Sequence, residues 1–170
     1  MENIYIALGA NLPSGHGSPR ATLEAAVGAI AAAGIEIRRR SRWYESAPVP
    51  RAADQPWYVN GVIAVATDLA PEALLAQLQR IELDFGRVRS VPNAPRSLDL
   101  DIVAYGDRVV TAGAPLLPHP RMESRAFVLL PLRDVAPDWH HPQSGLSVAD
   151  LIAGLGRLDD PEGQEIRPLA

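Results

Sequence analysis

The sequence predicts an α+β fold: a ferredoxin-like antiparallel sheet with helices on one face, followed by a C-terminal helical extension. Three observations lead there. β-rich runs alternate with stretches of helical period in the order β-α-β-β-α-β. A proline opens each of the first two helical stretches and a glycine closes it. Finally, 170 residues at 47% hydrophobic content are the size of one ordinary core. Residues 1–170 are therefore read as a single domain.

The elements follow in order. Residues 3–8, with Ile4, Tyr5, Ile6 and Leu8, make a first strand ended by Gly9-Ala10-Asn11. Ser18 and Pro19 are the N-cap and first position of a helix whose Leu23, Val27 and Ile30 recur at helical spacing, with Gly34 as its stop. Residues 35–44 read as a strand, 48–56 as a Pro-rich loop, and 58–67 as a strand holding Val59, Val62, Ile63 and Val65. Pro71 opens a second helix that buries Leu74, Leu75, Leu78, Ile81 and Phe85 before Gly86. Residues 90–95 have two prolines and no period, so they form a loop. Residues 98–105 are a strand, and Gly106-Asp107 turns it back into Arg108-Val109-Val110. A helix over 125–130 stops at Pro131, and Ser147 with Asp150 forms a capping box for a last short helix.

Composition narrows the function. No apolar run approaches the ~20 residues of a membrane-spanning helix. The start, Met1-Glu2-Asn3-Ile4-Tyr5, lacks the basic and apolar regions of a signal peptide. Without cysteine there is no disulfide framework, thiolate zinc site or thiol nucleophile. The expectation is a cytoplasmic chain with no membrane partner. A net charge of -4 disfavours nucleic acid, whose binders usually carry a basic excess. Positive charge is nonetheless clustered at Arg38-Arg39-Arg40 and Arg42, then at Arg87, Arg89 and Arg96, which suits a small polyanion.

The stretch Arg96-Ser97-Leu98-Asp99-Leu100-Asp101-Ile102 is the most informative. Alternation on a strand sends Leu98, Leu100 and Ile102 one way and Asp99 and Asp101 the other, with the carboxylates about 6–7 Å apart. Such a pair suits one or two hard cations shared with a phosphate chain; the plain alternative is a solvated acidic face. Arg87, Arg89 and Arg96 would supply guanidinium forks for phosphate, or else are surface arginines. His119, held between Pro118 and Pro120, suits a fixed donor to phosphate, against the alternative of a loop histidine without a role. His16, His140 and His141 read as surface residues. Tyr58 and Asn60 share a strand face, and with Phe127 they could sandwich a flat heterocycle and read its edge; the alternative is simple core packing. There is no phosphate-binding Gly-x-x-x-x-Gly-Lys loop, and the 16 basic residues are all arginine. A phosphotransferase of this kind must hold its triphosphate through metal and arginine.

In this order the chain resembles the 6-hydroxymethyl-7,8-dihydropterin pyrophosphokinases. The pieces are Leu8-Gly9-Ala10-Asn11, Tyr44-Glu45-Ser46-Ala47-Pro48-Val49, Asp54-Gln55-Pro56 leading to Asn60, Gln79-Arg80-Ile81-Glu82, Gly86-Arg87-Val88-Arg89, Arg96 to Ile102, and Pro118-His119-Pro120 to Phe127. The resemblance implies transfer of the pyrophosphoryl group of ATP to the pterin hydroxymethyl group in folate biosynthesis, with AMP released. It implies Asp99 and Asp101 as ligands of two magnesium ions. Arg87, Arg96 and His119 would bind the ATP phosphates, with Arg89 and Arg125 among the ATP-binding residues. Gln79 and Glu82 would face the nucleotide, and the backbone of Ile102 would meet adenine. Ser46, Ala47 and Val49 would line the pterin pocket, Asn60 would hydrogen-bond the pterin, and Tyr58 and Phe127 would stack on it. The catalytic set on this reading is Arg87, Arg96, Asp99, Asp101 and His119, acting in a monomer. Members commonly carry Arg-Trp-Gly before Pro-Arg, where this chain has Val91-Pro92-Asn93-Ala94. A segment over 90–95 without the tryptophan is expected to act as a lid closed by other contacts. Two further readings compete: an RNA-binding module, which needs exposed aromatics and a basic face, and a metal-dependent nucleotide hydrolase.

Overall fold

Two of the apolar runs pair along their whole length and form the middle of a sheet. These are β1 (Ile4–Ala10) and β4 (Tyr58–Ala66), with Ile4 opposite Val65 and Ala10 opposite Val59. The computed structural model describes residues 2–48, 56–86, 97–159 and 164–169. Around the central pair run α1 (Pro19–Ala32), β2 (Glu36–Arg40), β3 (Tyr44–Ser46), α2 (Pro71–Asp84) and β5 (Asp99–Tyr105). A 3₁₀ turn (Met122–Ser124), α3 (Ala126–Val135), α4 (Val148–Ala153) and β6 (Ile166–Pro168) complete the chain. The sheet is antiparallel in the order β5-β1-β4-β3-β6, and β2 also pairs with β4.

Alternation gives the sheet two apolar faces. Ile4, Ile6, Leu8, Ile63, Val65, Leu100 and Ile102 meet Leu23, Val27 and Ile30 of α1 and Leu74, Leu78 and Ile81 of α2. Tyr5, Val62 and Ala104 of the opposite face meet Leu129, Leu132 and Val135 of α3 and Val148 and Leu151 of α4. Each fully buried aliphatic side chain in these layers contributes about 1.5–3 kcal/mol. Helices therefore cover both faces: α1 and α2 one, the C-terminal extension the other.

Local signals work where they are strong. The Ser18 hydroxyl accepts from the Ala21 amide at 3.2 Å ahead of Pro19, and Ser147 and Asp150 form the reciprocal capping box of α4. Gly34 and Gly86 end their helices at positive φ, where a Cβ is strained.

Four expectations are corrected. The strand expected over 35–44 breaks in two: Ser41 donates its amide to the Val62 carbonyl, but its hydroxyl replaces its own carbonyl as acceptor for the Val62 amide, and the ladder is interrupted. The return strand over 108–110 does not form, because the outer edge of β5 is already engaged. The Glu82 carboxylate takes the Leu100 amide, and the His119 amide donates to Val103. Val110 pairs with Leu117 instead. α3 continues through Pro131 to Val135, because burial of Leu132 and Val135 outweighs one missing amide donor. The arginines of residues 38–42 are occupied within the chain: Arg40 with Glu24, Arg42 with Asp134, Arg38 with Glu36, and Arg39 donating to the Val135 carbonyl. They do not form an open polyanion site.

Candidate active site

The face covered by α3 and α4 changes character toward one end. In register across the strands, Asp101 lies opposite Ala7, which lies opposite Val62. One step further, Asp99 lies opposite Gly9, Gly9 opposite Asn60, and Asn60 opposite Tyr44. Directly paired residues project to the same side of a sheet, so Asp99, Asp101, Gly9, Asn60 and Ser46 share one face. Both aspartates are half-buried, between the fully buried Leu98, Leu100 and Ile102 that point the other way. The alternation expected from the sequence is present.

At the other end of this row, Asn60 is buried and its side-chain amide donates to the Ser46 hydroxyl at 2.7 Å. Its carbonyl oxygen hangs over Gly9: a Cβ there would lie 2.9 Å from Oδ1. The sequence marks Gly9 as the end of the first strand, whereas β1 continues through it to Ala10, and glycine inside a strand signals such a close approach. Asn11, the last residue of the same Leu8-Gly9-Ala10-Asn11 motif, is buried and donates to the Pro56 carbonyl at 3.1 Å, tying the end of β1 to the start of β4. Tyr58, two residues before Asn60, is half-buried on the same face, and Ala47 is buried behind Ser46. Phe127, half-buried in the first turn of α3, packs between the clusters beneath α3.

The cationic part comes from the turn before α3. His119 is anchored by its amide on Val103 at 2.8 Å and is half-buried. Burial, then the positive charges of Arg125 and Arg121, push its pKa down to about 4 against the opposing pull of Asp99. The ring is therefore neutral at pH 7. The Arg121 amide donates to Nδ1 at 3.3 Å, which leaves the ring proton on Nε2. Arg125 lies over the Phe127 ring, 5.3 Å from its centroid. Arg121 is a member of this cluster that the sequence reading had not singled out; its signal was adjacency to Pro118-His119-Pro120.

The residues expected to face the nucleotide divide. Gln79 is exposed on α2. Glu82 is buried, and its carboxylate accepts the Leu100 amide at 2.8 Å, between the two aspartates in sequence. Ile102 packs its side chain into the α1–α2 core while its strand forms the sheet edge. Val49, Arg87, Arg89 and Arg96, and the 90–95 segment expected as a lid, lie outside the described residues. No group of three or more histidines and carboxylates able to hold a metal occurs among the described residues, so any cation at Asp99 and Asp101 would complete its shell from water and phosphate. One surface histidine is corrected. His141 is buried, with Nδ1 accepting from the Gln143 and Ser144 amides and Nε2 at 3.0 Å from Glu123. His16 is exposed but stacks on Phe85 with centroids 4.6 Å apart.

Comparison with known proteins gives a family. The 7,8-dihydro-6-hydroxymethylpterin-pyrophosphokinase profile matches residues 5–137. A 2-amino-4-hydroxy-6-hydroxymethyldihydropteridine pyrophosphokinase of Pseudomonas aeruginosa is 42% identical over 164 residues, covering 93% of this chain and 98% of that protein. A protein of the same name from Synechocystis is 41% identical over 148 residues, covering 86% of this chain and 73% of its own length. The folic acid synthesis protein fol1 of Pneumocystis carinii is 42% identical over 151 residues; the match takes in 89% of this chain but 20% of that longer protein. The crystal structure of Plasmodium falciparum HPPK-DHPS shares the fold with a TM-score of 0.66 at 14% identity, over 89% of this chain and 44% of that one.

Proposed function

This chain belongs to the 7,8-dihydro-6-hydroxymethylpterin-pyrophosphokinase family, and we propose that it joins the pyrophosphoryl group of ATP to the hydroxymethyl group of 6-hydroxymethyl-7,8-dihydropterin in folate synthesis. The pterin hydroxyl oxygen forms a bond to the β-phosphorus, the bond from that phosphorus to the α,β-bridging oxygen breaks, AMP leaves, and the hydroxyl proton passes to solvent. The observation that supports this most is the row from the aspartate pair to Asn60. It supports the reading because two carboxylates and a side-chain amide lie on one sheet face, where they could serve a metal-bound phosphate and a heterocycle.

Asp99 and Asp101 fit magnesium: two half-buried oxygen donors on one face, at a spacing suited to bridging phosphate. Two bound ions would neutralise charge on the phosphate oxygens and polarise the reacting phosphorus. The rest falls to the chain. His119, neutral with its proton on Nε2, donates to a phosphate oxygen. Arg125, with Arg87, Arg89 and Arg96, meets the remaining phosphate charge. Asn60 reads the pterin edge, Ser46 orients the Asn60 amide, and Tyr58 and Phe127 stack on the ring, with Ala47 and Val49 lining the pocket. Gln79, Glu82 and the Ile102 backbone stand on the nucleotide side, Glu82 through its hold on β5. No covalent enzyme intermediate is needed, since positioning and charge neutralisation carry the transfer. We read residues 1–170 as one domain working as a cytoplasmic monomer, without nucleic-acid or membrane partners.

AMP release measured with and without 6-hydroxymethyl-7,8-dihydropterin tests the reaction. Release only when pterin and magnesium are both present supports transfer; AMP formed at the same rate without pterin makes the protein a hydrolase.

A further inference from the structure

The segment after α4 lies beyond the residues the family profile matches, yet it touches both walls of the pterin site. β6 pairs with β3, Ile166 opposite Ser46, and the Ala47 amide donates to the Glu165 carbonyl at 2.9 Å. Ile166 is buried with Tyr44, Ala126 and Leu130. Two residues before Ile166 stands Gln164. Its Oε1 accepts the Ala126 amide at 2.8 Å, and its Nε2 donates to the Ser124 carbonyl at 2.8 Å.

These two bonds bracket a single residue. Arg125 is the corner between the 3₁₀ turn and α3, with extended backbone at φ -115° and ψ 106°. As N-cap of α3 it makes no side-chain cap bond, so the helix has an uncapped first turn. Gln164 supplies the missing acceptor from thirty-eight residues away in sequence and holds the carbonyl on the other side of the corner. Arg125 and Phe127 both leave the chain within one residue of those bonds. Their mutual contact, guanidinium over ring, depends on the corner holding one conformation.

We propose that Gln164 is a positioning residue for the pyrophosphoryl transfer: its amide clamps the Arg125 corner and so holds Phe127 against the pterin and Arg125 beside His119. The inference rests on the placement of Phe127 and Arg125 in the site given above. A hydrogen-bond pair of this kind is expected to change ligand affinity about five- to tenfold when removed.

The test is calorimetric titration of the full chain with 6-hydroxymethyl-7,8-dihydropterin in the presence of magnesium and α,β-methylene-ATP, alongside steady-state kinetics. Gln164→Ala should weaken pterin binding about five- to tenfold, raising KM for pterin more than it lowers kcat. Phe127→Ala should weaken it as well. In the double variant the loss should stay within about twofold of Phe127→Ala alone, because both changes remove one contact. Gln164→Glu keeps the acceptor for Ala126 and loses the donor to Ser124, so an intermediate loss is expected; it carries the test if the alanine variant does not fold. Unaltered affinity in Gln164→Ala, or losses that multiply in the double variant, overturns the inference while Phe127→Ala keeps the site reading intact. No loss in Phe127→Ala overturns the site reading and this inference with it.

Discussion

One face of the sheet has two ends that obey different rules. Under α3 and α4, Tyr5, Val62 and Ala104 are closed over by Leu129, Leu132 and Val135. A few residues along the same strands, the same side carries Asp99, Asp101, Gly9 and Asn60. The backbone pairing is regular at the polar end, while at the apolar end the β1–β5 register shifts between Tyr5 and Ile6. What meets the sheet also differs: α3 and α4 close over the apolar end, while at the other end His119, anchored on Val103, lies within electrostatic reach of Asp99. A regular ladder thus serves as a rigid base on which polar groups can be placed without each needing its own loop. The cost is local: every polar group there needs a partner, as Asn60 finds in Ser46 and His119 in the Arg121 amide.

The sharpest way to break this comparison is to remove a carboxylate. On the proposed reading, in which the pair holds magnesium, Asp99→Ala or Asp101→Ala should lower the transfer rate by several kcal/mol in barrier, on the order of 10³-fold or more. Thermal unfolding should shift little, since both groups are half-buried at the polar end. Near wild-type turnover at saturating magnesium would show that the two ends do not divide chemistry from stability.

The converse change belongs to the apolar end. Leu132→Ala empties a fully buried site under the sheet and should cost about 2–5 kcal/mol in urea unfolding. At temperatures where the variant stays folded, KM for both substrates should be retained. Loss of activity without loss of stability would mean that α3 communicates with the site more than its packing suggests.

Gly9→Ala probes the middle of the polar row, between Asp99 and Asn60. Its Cβ would sit 2.9 Å from Asn60 Oδ1, so either the strand or the amide must move. Pterin affinity should fall by about 1–3 kcal/mol, as for Asn60→Ala, with ATP affinity nearly unchanged. Equal losses for both ligands by calorimetry would contradict the separation of the pterin and nucleotide sides.

The last probe is pH. Between about pH 6.5 and about pH 4 the unfolded chain binds a proton at residue 119 that the folded chain does not. Stability should therefore fall as pH is lowered through that window and recover as it is raised. In the ligand-free protein His119→Ala should remove this part of the slope. Urea midpoints at pH 7 and pH 5 for both proteins decide it: identical pH dependence would mean that His119 titrates as in an open chain.

Much of the scaffold was legible in one dimension because its determinants are local. Ser18-Pro19, Ser147 with Asp150, and the closing glycines at 34 and 86 act within a turn of their own elements, and all four work as read. The failures were of another kind. Pro131 is a helix breaker by its own chemistry, and only the burial of Leu132 and Val135 keeps the helix going. β6 has three residues and a single buried anchor, Ile166, too little for any period to show. The arginines of residues 38–42 formed a cluster in sequence, but their partners Glu24 and Asp134 lie on α1 and α3.

The site divides in the same way. The sequence by itself determined that Asp99 and Asp101 share a face, since alternation is a property of the strand, and its motifs, taken in order, already resembled one family. Tertiary structure alone decided that Asn60 stands across Gly9 from Asp99, because register is set between strands. It alone made His119 a neutral donor, because burial and the charges of Arg125 and Arg121 come from outside its own peptide. It alone buried Glu82, whose carboxylate satisfies the Leu100 amide on the outer edge of β5. Period and capping are written along the chain; partner, register and dielectric exist only after distant segments meet.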